Sequence, residues 1–198
     1  MPNLYPFLTY VVVTTFTPGP NNILSMTNGL RYGFRCTLSF LMGEASGLLV
    51  VMLITGLLNV ALVQLVPQVR FWLNLFGAAY MVYLAIHIVL SKPSADGPVQ
   101  NDLNTFGAGF GLQFVNLKLI LYGVTVFALF ITPVFQDPLV VGLFGVVLAC
   151  VGFVANSSWA LGGNLFSAFL RKYERWFNLA MGALLVYTAV ASLLASHA

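Results

Sequence analysis

The stretch Thr17-Pro18-Gly19-Pro20-Asn21-Asn22 interrupts a long apolar run, residues 4–26, that is otherwise long enough to cross a bilayer. Proline has no N–H group, so Pro18 and Pro20 each remove a helical hydrogen bond, and the residue before a proline is pushed out of the helical region. Gly19 has no Cβ atom and accepts the backbone geometry that remains. The stretch therefore predicts a helix broken at Pro18-Gly19-Pro20, with a new half-helix starting near Pro20.

The composition indicates what surrounds this break. Of the 198 residues, 60% are hydrophobic and 7% are charged, whereas soluble domains are about a quarter charged. The apolar runs are too long and unbroken for barrel strands. The chain is therefore predicted to be an all-α polytopic membrane protein in contact with the lipid bilayer, with no nucleic acid as a partner. Residues 1–7 carry no Lys or Arg, so no cleavable signal peptide is expected.

Six apolar runs exceed the roughly 20 residues that a membrane crossing needs. We predict six transmembrane helices over residues 4–29, 37–60 (or 37–66), 71–90, 106–131, 139–161 and 176–195. The predicted connections are residues 31–35, 67–70, 91–104, 132–138 and 167–175.

Positive charge is distributed unevenly over these connections. The connections after spans one, three and five hold Arg31, Arg35, Lys92, Arg171, Lys172 and Arg175. The opposite side holds only Arg70. Because positively charged loops stay in the cytoplasm, both termini are predicted to be periplasmic.

An internal similarity divides the chain into halves. Residues 71–75 (FWLNL) resemble residues 175–179 (RWFNL) at an offset of 104. This predicts two three-helix repeats, residues 1–90 and 105–198, joined by a cytoplasmic linker at residues 91–104. Three is an odd number, so the repeats would be inverted, and inverted repeats with broken helices place a site near the bilayer midplane. Chance similarity between apolar helices is the alternative.

The broken first span offers a site for a zwitterion. In hydrocarbon, a break survives only where protein or a water-filled cavity satisfies the freed backbone groups. The start of the new half-helix, at Pro20, Asn21 and Asn22, offers N–H groups and a positive dipole end, which suit a carboxylate. The freed carbonyl groups near residues 14–17 suit an ammonium group, so Thr17 to Asn22 are candidate substrate-binding residues. A packing kink is the alternative.

Two ionisable residues lie deep in the predicted spans, and both are candidate functional residues. Lys118 in span four costs about 2.5–3.5 kcal/mol if it lies at the bilayer centre, and Asn116 precedes it closely. Glu44 in span two stands between Gly43 and Gly47, a spacing that lets helices approach closely.

Two functional roles are open for these residues. Glu44 and Lys118 either pair across the two halves, or Glu44 exchanges a proton while Lys118 or Asn116 binds the substrate carboxylate. The non-functional alternatives are a hydrated Glu44 near the interface, facing Arg35, and a Lys118 whose stem extends to water.

The remaining polar residues give weaker signals. Asn156, with the two serines after it, either lines a cavity or joins helices, and Tyr80, Tyr83 and Tyr122 are typical of packing. The sequence contains no metal-ligand cluster, nucleotide loop or hydrolase triad, so no cofactor, no metal and no enzymatic activity are expected. Cys36 and Cys150 are interpreted as packing residues.

The 17–22 motif resembles the hallmark of the LysE/RhtB family of bacterial amino-acid exporters. Residues 77–80 (GAAY) and the Asn116-x-Lys118 pattern also match that family, and the resemblance covers essentially the whole chain. It implies an inner-membrane exporter of small neutral amino acids that works by alternating access and is coupled to protons. Many relatives have a proline between Asn and Lys, so Leu117 predicts a less sharp break in span four.

Two alternatives remain at this level. A cation or metal efflux protein, or a channel, would share the same topology. The faces rich in small residues serve either internal packing or a homodimer.

Overall fold

The computed structural model of the chain describes residues 4–90, 103–166 and 172–194. Within these ranges the chain forms helices joined by turns, as predicted. The helices are α1 (Leu4–Phe16), α2 (Pro20–Tyr32), α3 (Phe34–Leu57), α4 (Asn59–Leu90), α5 (Phe106–Val115), α6 (Leu117–Val126), α7 (Pro138–Leu165) and α8 (Glu174–Leu194). A π-helical turn, Phe127–Ile131, continues α6.

Apolar helices of membrane-crossing length confirm the predicted protein class. Among the described residues, α3 and α7 are each long and apolar enough to cross a membrane. The pair formed by α5 and the α6 segment through Ile131 qualifies as a third span, bent by 64°. Helix α1 and residues 78–90 are shorter apolar helices. The arrangement of six spans as two inverted repeats stays a prediction, and the linker at 91–102 lies outside the described residues.

The first span breaks where the sequence predicts. Helix α1 ends at Phe16 and α2 begins at Pro20, with Gly19 in an extended conformation (φ −165°, ψ 179°) as its N-cap. The last N–H group before the prolines, that of Thr17, donates to the Val13 carbonyl at 3.0 Å. Proline at the first helical position costs nothing, because its missing N–H would have no helical partner there.

The second break is sharper than expected. The expectation that Leu117 would soften it is wrong, since span four bends by 64° at Asn116 (φ −82°, ψ 91°). Asn116 acts as the N-cap of α6: its side-chain oxygen accepts from the Leu119 N–H at 3.4 Å, and its carbonyl accepts from Ile120 at 3.1 Å. A capping asparagine thus starts a new helix without help from a proline.

One predicted connection is also wrong. Residues 67–70 do not form a loop, because α4 runs without interruption from Asn59 to Leu90. The chain instead turns at Leu58, whose N–H donates to the Ile54 carbonyl at 2.9 Å. A proline inside a helix removes one hydrogen bond, and at Pro67 the apolar residues on both sides continue the helix despite that loss.

Glycine residues let two pairs of helices approach backbone to backbone. Helix α2 packs on α7, and a Cβ atom at Gly163 would overlap the carbonyl group of Met26. Helix α3 packs on α5, and a Cβ atom at Gly43 would overlap the carbonyl group of Phe106. The Gly43 and Gly47 spacing therefore serves close helix packing within the chain.

We predict that Gly163→Ala destabilises the protein while Gly162→Ala does not. The first change forces apart two backbones in contact, and overpacking of this kind costs about 1–3 kcal/mol. Gly162 has open space around its missing Cβ atom, and alanine is the better helix former there by about 0.5–1 kcal/mol. Thermal unfolding of the two purified variants in detergent measures the difference. Equal melting temperatures would contradict the packing described.

Candidate functional site

The carbonyl groups at the end of α1 bind side chains of the protein itself. The Lys118 ammonium donates to the Thr17 carbonyl at 2.6 Å, and the Asn22 side-chain amide donates to the Thr15 carbonyl at 3.1 Å. The sequence predicted free carbonyl groups near residues 14–17 that would receive an ammonium group. One of them does receive an ammonium group, and it is that of Lys118.

Three buried amide side chains connect the two helix breaks. Asn116 donates to the Asn21 side-chain oxygen at 2.8 Å, and Asn21 donates to the Gln113 side-chain oxygen at 2.7 Å. Gln113 in turn donates to the Gly109 carbonyl within α5 at 2.9 Å. Because a buried polar group without a partner is costly, this chain of hydrogen bonds fixes the position of α2 relative to α5 and α6.

A cavity of about 50 Å³ opens beside the two breaks. Four predicted site residues of the first break and two of the second line it. The full lining is Thr14, Thr15, Gly19, Pro20, Asn21, Asn22, Leu48, Asn116, Lys118, Leu119, Tyr122, Leu148, Gly152 and Asn156. By the usual requirement of about 10–15 Å³ for each water, it holds a few water molecules or a group of similar size.

Two predicted site residues act only through the backbone. Thr17 and Pro18 do not line the cavity. The Thr17 hydroxyl donates to the Val13 carbonyl of its own helix at 2.5 Å, while the Thr17 carbonyl holds Lys118. Pro18 contributes to the site by breaking the helix.

Glu44 is deeply buried beside this cavity. It is 1% exposed, and Ser25 on α2 donates to its Oε2 atom at 2.8 Å. Its Oε1 atom has no hydrogen-bond partner among the described residues, and the amide of Asn156, which lines the cavity, adjoins the same carboxyl group. Burial contradicts the alternative in which Glu44 is hydrated near the interface and faces Arg35, an exposed residue.

The structure does not pair Glu44 with Lys118. Within the described parts of the chain, the Lys118 ammonium binds the Thr17 carbonyl and the Glu44 carboxyl binds Ser25. The two ionisable groups are therefore held by different partners around one cavity.

Several residues at or beside the site were not predicted from the sequence. Gln113 and Ser25 were not predicted as functional, and Tyr122 was interpreted as a packing residue. The Tyr122 ring does pack against the Tyr10 ring, with 5.9 Å between the ring centroids. The same residue also lines the cavity. For Asn156 both alternatives were open, and the structure places it in the cavity wall. The available signal was the same in each case, a polar side chain within an apolar run.

The described residues contain no group of three His, Cys, Asp or Glu that could hold a metal ion. Cys36 and Cys150 are free and exposed.

Broken helices that meet at a small cavity are a feature of secondary transporters, and here two helix breaks meet at a cavity lined in part by polar side chains. The chain is a member of the LysE type translocator family, which matches residues 12–196. Its class is therefore that of a transporter and not of an enzyme.

Named relatives cover nearly the whole chain. It is 41% identical over 184 residues to a cysteine/O-acetylserine efflux protein of Klebsiella pneumoniae, covering 93% of each chain. It is 43% identical over 188 residues to proteins of the same name from Escherichia coli K12 and Shigella flexneri, covering 94% of this chain and 95% of theirs. The predicted resemblance of the chain to the LysE/RhtB family is thereby confirmed. No solved structure matches the chain.

We predict that Asn21→Ala and Gln113→Ala are strongly non-additive. Either change alone leaves the other amide buried without its partner, at a cost of about 1–3 kcal/mol. The second change then costs less, because its partner is already gone. Thermal unfolding of both single variants and the double variant in detergent gives the coupling energy. Asn21→Ala combined with Gln136→Ala, at an exposed and distant residue, is the additive control; additivity in both pairs would rule out the amide chain.

Proposed function

We propose that this protein exports small neutral amino acids of the cysteine and O-acetylserine type across the bacterial inner membrane, coupled to protons. The observation that carries the proposal is the small cavity, lined in part by amide and hydroxyl side chains and by Lys118, at which the two helix breaks meet. The names of the relatives supply the substrate type. The cavity's small size suits the head group of an amino acid better than a large solute.

The groups around the cavity complement a zwitterion. The N-terminus of α2 lines it with Pro20, Asn21 and Asn22, and the first N–H groups of a helix have no helical partners and attract anions. The carbonyl groups at the end of α1 attract cations, as the Lys118 contact with Thr17 illustrates. The substrate carboxylate thus faces α2 and its ammonium group faces α1.

Lys118 gives this binding mode a simple exchange step. The Lys118 ammonium donates a hydrogen bond to the Thr17 carbonyl. In this proposal the substrate ammonium binds to the same carbonyl group. A substrate carboxylate in the same cavity attracts the Lys118 ammonium, and the freed carbonyl then accepts the substrate ammonium. In the bound state the Lys118 ammonium pairs with the substrate carboxylate and the carbonyl accepts from the substrate ammonium, so each charged group has a partner.

Alternating access supplies the transport cycle in this proposal. Each predicted half, residues 1–90 and 105–198, begins with a broken helix, which supports an inverted repeat. With the predicted topology, α2 and α5 lie on the cytoplasmic side, where glycines such as Gly29 and Gly109 face backbone carbonyls. Glycines toward the opposite side, such as Gly56 and Gly145, face side chains instead. The cytoplasmic half is thus the more tightly closed, as in an outward-facing state, and both termini are periplasmic.

Glu44 is the proposed proton-coupling residue. A buried carboxylate is costly unless it is paired, and Oε1 of Glu44 has no partner among the described residues. Uptake or release of a proton therefore changes the stability of the contacts between α2, α3 and α7. Substrate and proton would thus act on the same set of helices.

Uptake into everted membrane vesicles tests the function. With an imposed pH gradient, we expect uptake of cysteine and O-acetylserine that collapses on addition of a protonophore, and no uptake of lysine. Vesicles without the protein are the control. If no amino acid is taken up although membrane insertion is verified, the proposal is wrong and cation efflux becomes the next function to assay.

We predict that Glu44→Gln abolishes gradient-driven accumulation of cysteine but preserves cysteine exchange across the membrane. Glutamine keeps the shape and the hydrogen bond from Ser25 but cannot exchange a proton. Uptake with a pH gradient and counterflow without one separate the two activities.

Ser46→Ala is the matched control for Glu44→Gln, because among the described residues the Ser46 hydroxyl donates to the Met42 carbonyl of its own helix. Undiminished pH-driven accumulation by Glu44→Gln would remove Glu44 from the coupling mechanism.

A further inference from the structure

We infer that a second, apolar cavity on the far side of Lys118 receives the substrate's side chain and determines which amino acids are exported. This inference rests on the proposed function. The second cavity measures about 90 Å³ and is lined by Gly19, Pro20, Tyr80, Met81, Leu112, Val115, Asn116, Leu117, Lys118 and Leu121.

The two cavities share one wall. Gly19, Pro20, Asn116 and Lys118 line both of them. Gly19 and Pro20 lie at the first helix break and Asn116 lies at the second. The Lys118 side chain connects the two breaks through its bond to the Thr17 carbonyl. A substrate whose head group lies at the breaks therefore has the second cavity directly beside it.

The movable part of this wall is the Lys118 side chain. A Cβ atom at Gly19 would lie 3.1 Å from both the Cδ and the Nζ atoms of Lys118, so the aliphatic stem runs closely across the glycine. It is held there by the bond between its ammonium and the Thr17 carbonyl. When the substrate carboxylate draws the ammonium away, the stem leaves Gly19 and the two cavities join.

The chemistry of the linings assigns one part of the substrate to each cavity. The first cavity presents hydroxyl and amide groups, among them Thr14, Asn22 and Asn156. Outside the shared wall, the second is lined by leucine and valine side chains, Met81 and Tyr80. A cationic side chain placed there would lose its water without meeting an anionic group, because the lining contains no Asp or Glu. A short neutral side chain, such as a thiol or an ester, loses little and gains contact.

Met81 and Leu121 therefore limit the length of the side chain that fits. Met81 of α4 is 7% exposed, and it lines the cavity together with Leu121 of α6. Shortening either one makes room for about the volume it gives up. A pocket difference of one or more methylene groups changes selectivity about 10- to 200-fold.

The test is a competition between cysteine and leucine for export by wild type, Met81→Ala and Leu121→Ala in everted vesicles. We expect the leucine-to-cysteine ratio of kcat/KM to rise about tenfold or more in either variant. Met81→Leu, which keeps the volume, should retain the wild-type ratio. Val82→Ala is the control for α4, because Val82 is an exposed neighbour that does not line the cavity.

The possible failures are distinguishable. If wild type exports neither amino acid, the proposed function fails. If wild type exports cysteine, and either enlarged variant is folded, transports cysteine and keeps the wild-type ratio, the side-chain cavity is wrong. Should both enlarged variants fold poorly, Tyr80→Phe decides: loss of preference for O-acetylserine over leucine supports the cavity, and an unchanged preference overturns it.

Discussion

A backbone N–H or carbonyl group in the hydrocarbon core of a membrane needs a partner within the protein, because no water is there to provide one. Pro18 and Pro20, at the break between α1 and α2, remove such partners, and the surrounding structure restores two of them. Lys118 binds the carbonyl of Thr17, and Asn22 binds that of Thr15. Lys118 and Asn22 would each be costly alone in hydrocarbon, because their polar groups would lack partners. The carbonyl groups that the break leaves free give them partners, and the two side chains in turn satisfy those carbonyl groups.

The two breaks depend on each other for the same reason. Asn116 starts α6, and its side chain also binds Asn21 beside the first break. Gln113 completes the chain of amides by linking Asn21 to α5. Amides donate and accept hydrogen bonds without carrying a net charge, so this network fixes geometry and leaves the only full charge at the breaks to Lys118. The cavity is thus polar but has one cation available to attract an anion.

The elements that could be predicted from the sequence are those set by local chemistry. The break at 17–22 follows from two prolines and a glycine, and the choice of Glu44 and Lys118 as candidate residues follows from the cost of charge in an apolar span; their function stays a prediction. The bend at Asn116 was predicted to be less sharp because residue 117 is leucine and not proline. Asparagine is itself a strong helix cap, so the new helix starts without a proline. A connection was predicted at 67–70 because Pro67 was expected to end a helix. The helix continues through Pro67, and the chain turns at Leu58 instead.

Long-range partners could not be predicted in this way. Nothing in the local sequence joins Gln113 to Asn21 or Ser25 to Glu44, since both pairs form only when separate helices pack. The same holds for the cavity, whose wall comes from α1, α2, α3, α6, α7 and the Asn116 break. Periodicity indicates which residues are polar in an apolar run, but only the packing of the helices decides whether such a residue caps, couples or lines a site.

The placement of the two ionisable residues follows from these constraints. Lys118 reaches the cavity directly, whereas Glu44 is separated from it by Asn156, which adjoins the carboxyl group and lines the cavity. A direct ion pair would neutralise the cation that a substrate carboxylate requires. With an amide between them, the Lys118 ammonium and the Glu44 carboxyl are held by different partners. In the proposed mechanism, Lys118 therefore stays available to the substrate carboxylate, and a change in the charge of Glu44 acts on the cavity wall through Asn156.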